Sequence, residues 1–236
     1  MHADPAKAAG MQAYMKSAMP YRGVQTPVQR AIWRQIVPAH PLPDSATWRD
    51  TVLALWRGAR YREERYGAIA LAGDRRYAPF QTPDTIPLYD EMIVTGAWWD
   101  YVDAIATRRI GTLLEHYPGD LKPVLRRWSR DADLWRRRTA ILAQITFKSR
   151  TDVRLLHDCL TPNLADRNFF IRKAIGWALR QYAWTDPQAV REYVGRHRAA
   201  LSPLSVREAL KNIGTGDDRR AVESGLPQRR RPRRLP

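Results

Sequence analysis

The 236-residue chain contains one cysteine, Cys159, so no internal disulfide and no cysteine-based metal cluster can form. Its five histidines, His2, His40, His116, His157 and His197, are scattered without ligand spacing, and no metal or organic cofactor is expected. No apolar run approaches the roughly 18 residues of a bilayer span, and the N-terminus lacks a signal-peptide pattern. No membrane association is expected, and a reducing cytoplasmic setting is the simplest one. Nowhere do apolar and polar residues alternate with period two over a length that would demand a sheet. Acidic residues are scarce as well. The 24 Asp and Glu face 40 Lys and Arg, giving a net charge of +16 and a pI near 10.6. Such a balance favours a polyanionic partner, though charge alone does not separate DNA from RNA or an anionic membrane.

Much of the excess belongs to the part that folds. Removing the five arginines of Gln228-Arg-Arg-Arg-Pro-Arg-Arg-Leu-Pro236 still leaves +11, and residues 121–154 hold ten Lys or Arg against three Asp. A basic surface built by the fold is therefore expected. Residues 217–236 lack an apolar face and read as a disordered Arg/Pro-rich tail, leaving one domain over residues 1–216.

What remains is helical. Helices are expected over 5–19, from Thr26 (as cap, with Pro27 in the first turn) to about Val37, and over 45–58 and 61–76. A two-helix phrase then recurs at 84–95 and 98–117, 120–130 and 133–147, 152–160 and 168–183, and 187–197 and 204–213. Aromatic residues near 99, 135 and 170 mark the second helix of three units at steps of 36 and 35 residues. Trp135-Arg-Arg-Arg-Thr-Ala-Ile-Leu142 and Phe170-Ile-Arg-Lys-Ala-Ile-Gly-Trp177 correspond directly, with Arg138 matching Lys173. A helical pair repeated with that period indicates an all-α solenoid of HEAT-like or armadillo-like repeats.

The stretch richest in chemistry is Glu91-Met-Ile-Val-Thr-Gly-Ala-Trp-Trp-Asp-Tyr-Val-Asp103. Trp99 and Asp103 are four apart and share a helix face, while Asp100 points elsewhere. Read blandly, the indoles are core and Asp100 is a helix cap. In a stacked array, however, Trp99 and Asp103, Arg138, and Lys173 with Trp177 project from neighbouring helices into one basic concave groove. Arginines and lysines there would neutralise phosphates, and indole faces attract positive charge. A carboxylate among phosphates requires something cationic nearby, such as a deoxyribose becoming oxocarbenium-like as a glycosidic bond breaks.

Those segments, with Ile171-Arg-Lys-Ala-Ile-Gly-Trp-Ala-Leu-Arg-Gln-Tyr182, Tyr14-Met-Lys-Ser-Ala-Met-Pro-Tyr-Arg-Gly-Val-Gln-Thr-Pro27 and Leu201-Ser-Pro-Leu-Ser-Val-Arg-Glu-Ala-Leu-Lys211, resemble the bacterial DNA alkylation repair glycosylases built from HEAT-like repeats. The likeness covers roughly residues 5–215. It implies cofactor-free hydrolysis of the N-glycosidic bond of cationic alkylpurines, chiefly 3-methyladenine and 7-methylguanine types, in duplex DNA and without full base flipping. By resemblance the catalytic aspartate is Asp103, the site tryptophans are Trp99 and Trp177, and the DNA-contacting arginine is Arg138. Lys173 and Tyr14 are the further expected DNA contacts. A monomer working in the cytoplasm at the nucleoid is expected. The rival reading is a noncatalytic HEAT-like module that binds damaged or branched nucleic acid, with a protein-binding scaffold behind it.

Overall fold

The computed structural model describes residues 2–213, and the tail expected to be disordered lies outside them. Thirteen α-helices are present among the described residues. They are α1 Pro5–Met15, α2 Thr26–Ala39, α3 Ser45–Arg57, α4 Arg62–Ala72, α5 Ile86–Gly96, α6 Trp99–Ile105, α7 Gly111–His116, α8 Pro118–Trp128, α9 Leu134–Leu142, α10 Val153–Leu160, α11 Phe169–Tyr182, α12 Pro187–Arg196 and α13 Pro203–Leu210. No strand occurs among the described residues.

Most helices are too short to persist alone, so caps and packing must hold them. The side chains of Asp4, Asp44, Asp133, Asp152, Asn168, Asp186 and Ser202 each accept a hydrogen bond from a first-turn backbone N–H, which stabilises a helix start by about 0.5–2 kcal/mol. One face of each helix is apolar and buried: Leu121, Leu125 and Trp128 on α8, and Leu155, Leu156, Cys159 and Leu160 on α10. Helices α2, α4, α6, α9, α11 and α13 lie side by side in succession, while α3 meets α5 and α8 meets α10 behind them. The stacked pairs make the all-α repeat array expected from the spacing. Its core forms two clusters, one around Trp48, Trp56, Tyr89 and Tyr101 and the other around Ile141, Ile175, Leu179 and Val190.

Several details differ from expectation. Gln25, not Thr26, is the N-cap of α2, and it makes no side-chain cap bond. The helix expected to reach residue 76 stops at Ala72 with Gly73 as its C-cap, and a separate 3₁₀ segment, Arg75–Phe80, starts behind the extended Asp74, whose side chain accepts from the Arg76 N–H. The indole that packs with Trp135 and Phe170 is Trp98 rather than Trp99. Trp98 lies 6.3 Å from Trp135 and 5.4 Å from Phe170, with Trp135 and Phe170 5.1 Å apart, so the three rings form one seam where successive units meet. Trp99 is thereby left free of that seam.

The helix expected over 98–117 is interrupted by a π-turn at Ala106–Ile110. Thr107 donates its hydroxyl to the Asp103 carbonyl at 2.8 Å, the acceptor that a regular α-turn would offer to the Thr107 N–H. Widening there rotates everything that follows, including Arg108 and Arg109.

Helices α11 and α13 pack closely at Gly176. A Cβ on Gly176 would stand 2.5 Å from Glu208 Cβ and 2.9 Å from the Ser205 carbonyl oxygen. Gly176→Val should therefore force the two helices apart and cost about 1–3 kcal/mol, read as a lowered melting temperature. A wild-type melt would show that the contact yields freely.

Candidate active site

Asp103 and Arg138 meet across the α6–α9 contact as a two-point pair, Nε to Oδ1 at 2.7 Å and Nη2 to Oδ2 at 2.8 Å. The third arm of the guanidinium donates to the Phe170 carbonyl at the start of α11. Arg138 thus ties three successive helices together, and its side chain is only 5% exposed. Expected at a phosphate, it instead holds the carboxylate. The matching pair one unit further is Lys173 with Glu208, at 2.8 Å between α11 and α13. Asp103, Arg138, Lys173 and Glu208 follow one another at 35-residue steps, so a single repeat position carries the whole row.

Burial pushes the Asp103 carboxyl above its ordinary pKa, against the downward pull of Arg138's hydrogen bonds and charge, with Asp100 adding a smaller upward push. Trp99, one turn before Asp103 on the same helix, is half-buried at the edge of the first core cluster. Trp177, one turn beyond Lys173, is half-buried at the edge of the second. Trp99 thus shares α6 with Asp103, and Trp177 is on α11, the helix that follows Arg138's in the row. Lys173 keeps 39% of its side chain exposed beyond its ion pair. Tyr14 is on α1, far along the array from α11, and is 78% exposed.

Asp100 is no cap. Both of its oxygens accept from the Arg62 Nη2, at 2.7 and 2.8 Å, and Oδ2 also accepts from the Tyr66 hydroxyl, which in turn meets the Tyr21 hydroxyl at 3.0 Å. The Arg62 guanidinium lies 4.2 Å from the Tyr101 ring centroid. Glu63, beside it and buried, accepts from the backbone N–H groups of Arg22, Gly23 and Val24. Together these contacts fasten the start of α6 and the chain that leads from α1 into α2 onto α4. Only the proximity of two carboxylates to two indoles hinted at this in the sequence, because its partners lie about 40 residues upstream.

The charge concentrated in residues 121–154 is partly spent between units. Lys122 pairs with Asp152, Arg126 with Asp158, Arg136 with Asp90 and Asp131, and Arg137 with Asp166. Arg127 and Arg154 remain exposed without such partners.

The family described as DNA alkylation repair enzyme matches residues 1–213. The chain belongs to that family. Among solved structures, this DNA alkylation repair family member is similar to a protein described as a predicted DNA alkylation repair enzyme from Enterococcus faecalis. The two are 29% identical, over 92% of this chain and 99% of the other, with a TM-score of 0.82. No curated protein matches the chain. A role in handling alkylation damage to DNA follows from the family. No helix among the described residues is long and apolar enough to cross a membrane.

If Arg138 is what holds the Asp103 carboxylate ionised, a family member with Arg138→Met should show Asp103 titrating at still higher pH, since burial would act unopposed. Carboxyl carbon chemical shifts followed against pH would report the change. An unmoved midpoint would mean that solvent, not Arg138, stabilises the charge.

Proposed function

We propose that this DNA alkylation repair enzyme is a glycosylase that hydrolyses the N-glycosidic bond of cationic N3- and N7-alkylated purines in duplex DNA. The observation that carries the reading is a largely buried carboxylate, Asp103, fixed by a two-point arginine fork, with the half-buried Trp99 one turn before it on α6. A carboxylate this buried needs a cation to stay ionised, and an indole face beside it favours a cationic group.

An alkylated purine already carries positive charge, so it departs as a neutral base and needs little general-acid help. Positive charge develops instead on the deoxyribose, where Asp103 stabilises it and orients the attacking water. That water adds to C1′ and gives up its proton through Asp103 to solvent. Trp99 and Trp177 hold the sugar edge and gain attraction as the ring becomes cationic. Arg138 keeps both Asp103 oxygens in place and is a positioning residue. Lys173 and Tyr14 supply contacts to the DNA. Neither the cavity of about 510 Å³ beside α1 nor that of about 940 Å³ beside α2 is lined by Trp99, Asp103, Arg138 or Trp177. A sugar held against an open wall rather than in a pocket suits a lesion that stays largely stacked and tolerates bulky cationic adducts.

Because burial raises the Asp103 pKa, and the ionised form is the active one, base release should fall on acidification at a pH above the ordinary aspartate range. The direct test is release of free 7-methylguanine from a duplex containing one such lesion. Asp103→Asn should keep duplex affinity and lose on the order of 10²-fold or more in single-turnover rate. Arg138→Lys keeps the charge but loses the fork, and should slow release without altering the salt dependence of binding. Tight lesion binding with no base released by the wild-type protein would instead identify a noncatalytic damage-binding module.

A further inference from the structure

The cavity of about 510 Å³ lies at the N-terminal end of the array, between α1, α2, α4 and the π-turn that follows α6. Its walls carry Tyr14, Tyr21, Trp33 and Tyr66, and its cations are Arg30, Arg108 and Arg109. Ala104, the neighbour of Asp103, also borders it. A volume of a few hundred Å³ with aromatic walls and convergent polar groups is typical of a small-molecule site.

Arg109 is the unusual member. Its Nε is sealed from solvent with no hydrogen-bond partner, and among the described residues no carboxylate pairs with its guanidinium. Burial, with repulsion from Arg108, holds its pKa below the ordinary arginine value. A desolvated cation without a counter-charge is costly, so it persists only where something is gained by keeping it. The backbone makes room for it. The guanidinium lies over Gly73 at the end of α4, where a Cβ would fall 2.3 Å from the Arg109 Cζ and 2.4 Å from Nη2 and would push it aside. The π-turn at Ala106–Ile110 presents Arg108 and Arg109 together, and such turns recur at functional sites. Arg30 and Arg108, at the rim, are exposed and have no acidic partner among the described residues.

Uncompensated cations call for an anion, and the rings beside them call for a flat, apolar surface. We propose that this cavity binds a nucleotide unit, its phosphate on Arg109 and Arg108 and its base against Trp33 and Tyr66. The unit is either a free nucleotide or a nucleotide of the bound DNA strand next to the lesion. The second source rests on the duplex-binding part of the reading above, whereas the first does not.

Calorimetric titration of the full chain with dAMP, with deoxyadenosine and with inorganic phosphate tests the free form. Anisotropy with a short undamaged duplex at several salt concentrations tests the DNA-borne form. Arg109→Met, which keeps volume and removes charge, is compared with Arg30→Ala, which alters only an exposed rim side chain. Loss of a charge-assisted phosphate contact should weaken binding about 10-fold or more in Arg109→Met and measurably in Arg30→Ala. The Arg109→Met melting temperature should equal or exceed that of the wild type, since Arg109 has no protein partner to lose. Saturable dAMP binding, tighter than that of deoxyadenosine and weakened by both substitutions, assigns the site to a free nucleotide. Weakened duplex binding with a salt slope lower by about one unit, without dAMP binding, assigns it to the strand. If neither dAMP nor duplex affinity responds to either substitution, the proposal is wrong and Arg109 is a structural cation only. Neither arm reads base release, so failure of the excision chemistry would leave this result unaffected, and the reverse holds too.

Discussion

The ion pair between Asp103 and Arg138 joins the architecture of this protein to its chemistry. One guanidinium reaches the carboxylate on α6 with two of its arms and the carbonyl of Phe170 on α11 with the third, so three neighbouring helices share a single side chain. Breaking a buried pair by removing one partner typically costs about 3–5 kcal/mol, because the other charge stays buried alone. The register of the repeat and the ionisation of the candidate catalytic group therefore depend on the same contact. A charge held ready in a poorly hydrated place is what electrostatic stabilisation of a sugar cation requires.

Around that pair the array repeats one design with different contents. The position that carries Asp103 carries Arg138, Lys173 and Glu208 in the following units, pairing each carboxylate with a cation from the adjacent helix. The seam of Trp98, Trp135 and Phe170 packs the starts of the same helices. Between units, further ion pairs from Arg126, Arg136 and Arg137 consume part of the basic charge. The overall excess of +16 consequently says more about the class of partner than about which arginines touch it.

The helices, their order and their pairing were legible because Pro, Asp and Asn punctuate the chain where helices start, and the apolar faces follow the helical period. Trp99 with Asp103, and Lys173 with Trp177, were legible as pairs because four residues on a helix fix a shared face. What spacing cannot express is which partner a charge chooses across the stack. Arg138 read as a phosphate contact because its nearest competitor, Asp103, is 35 residues away. Asp100 read as a cap for the same reason, its partners Arg62 and Tyr66 being one unit upstream. The π-turn was invisible because a one-residue widening leaves the composition that of an ordinary helix, and the bond from the Thr107 hydroxyl to the Asp103 carbonyl is of a kind that Thr51 and Thr95 make in regular helices.

The central claim is that Asp103 stabilises a sugar cation while the lesion's own charge makes the base a good leaving group. The most direct measurement compares single-turnover release of free base from two duplexes of identical sequence, one carrying 7-methylguanine and the other uracil at the same position. Release of 7-methylguanine with uracil left in place is the predicted result, since a neutral base needs leaving-group assistance that Asp103, Trp99 and Trp177 do not supply. Comparable release of both bases would contradict the account and require a general acid and a base pocket.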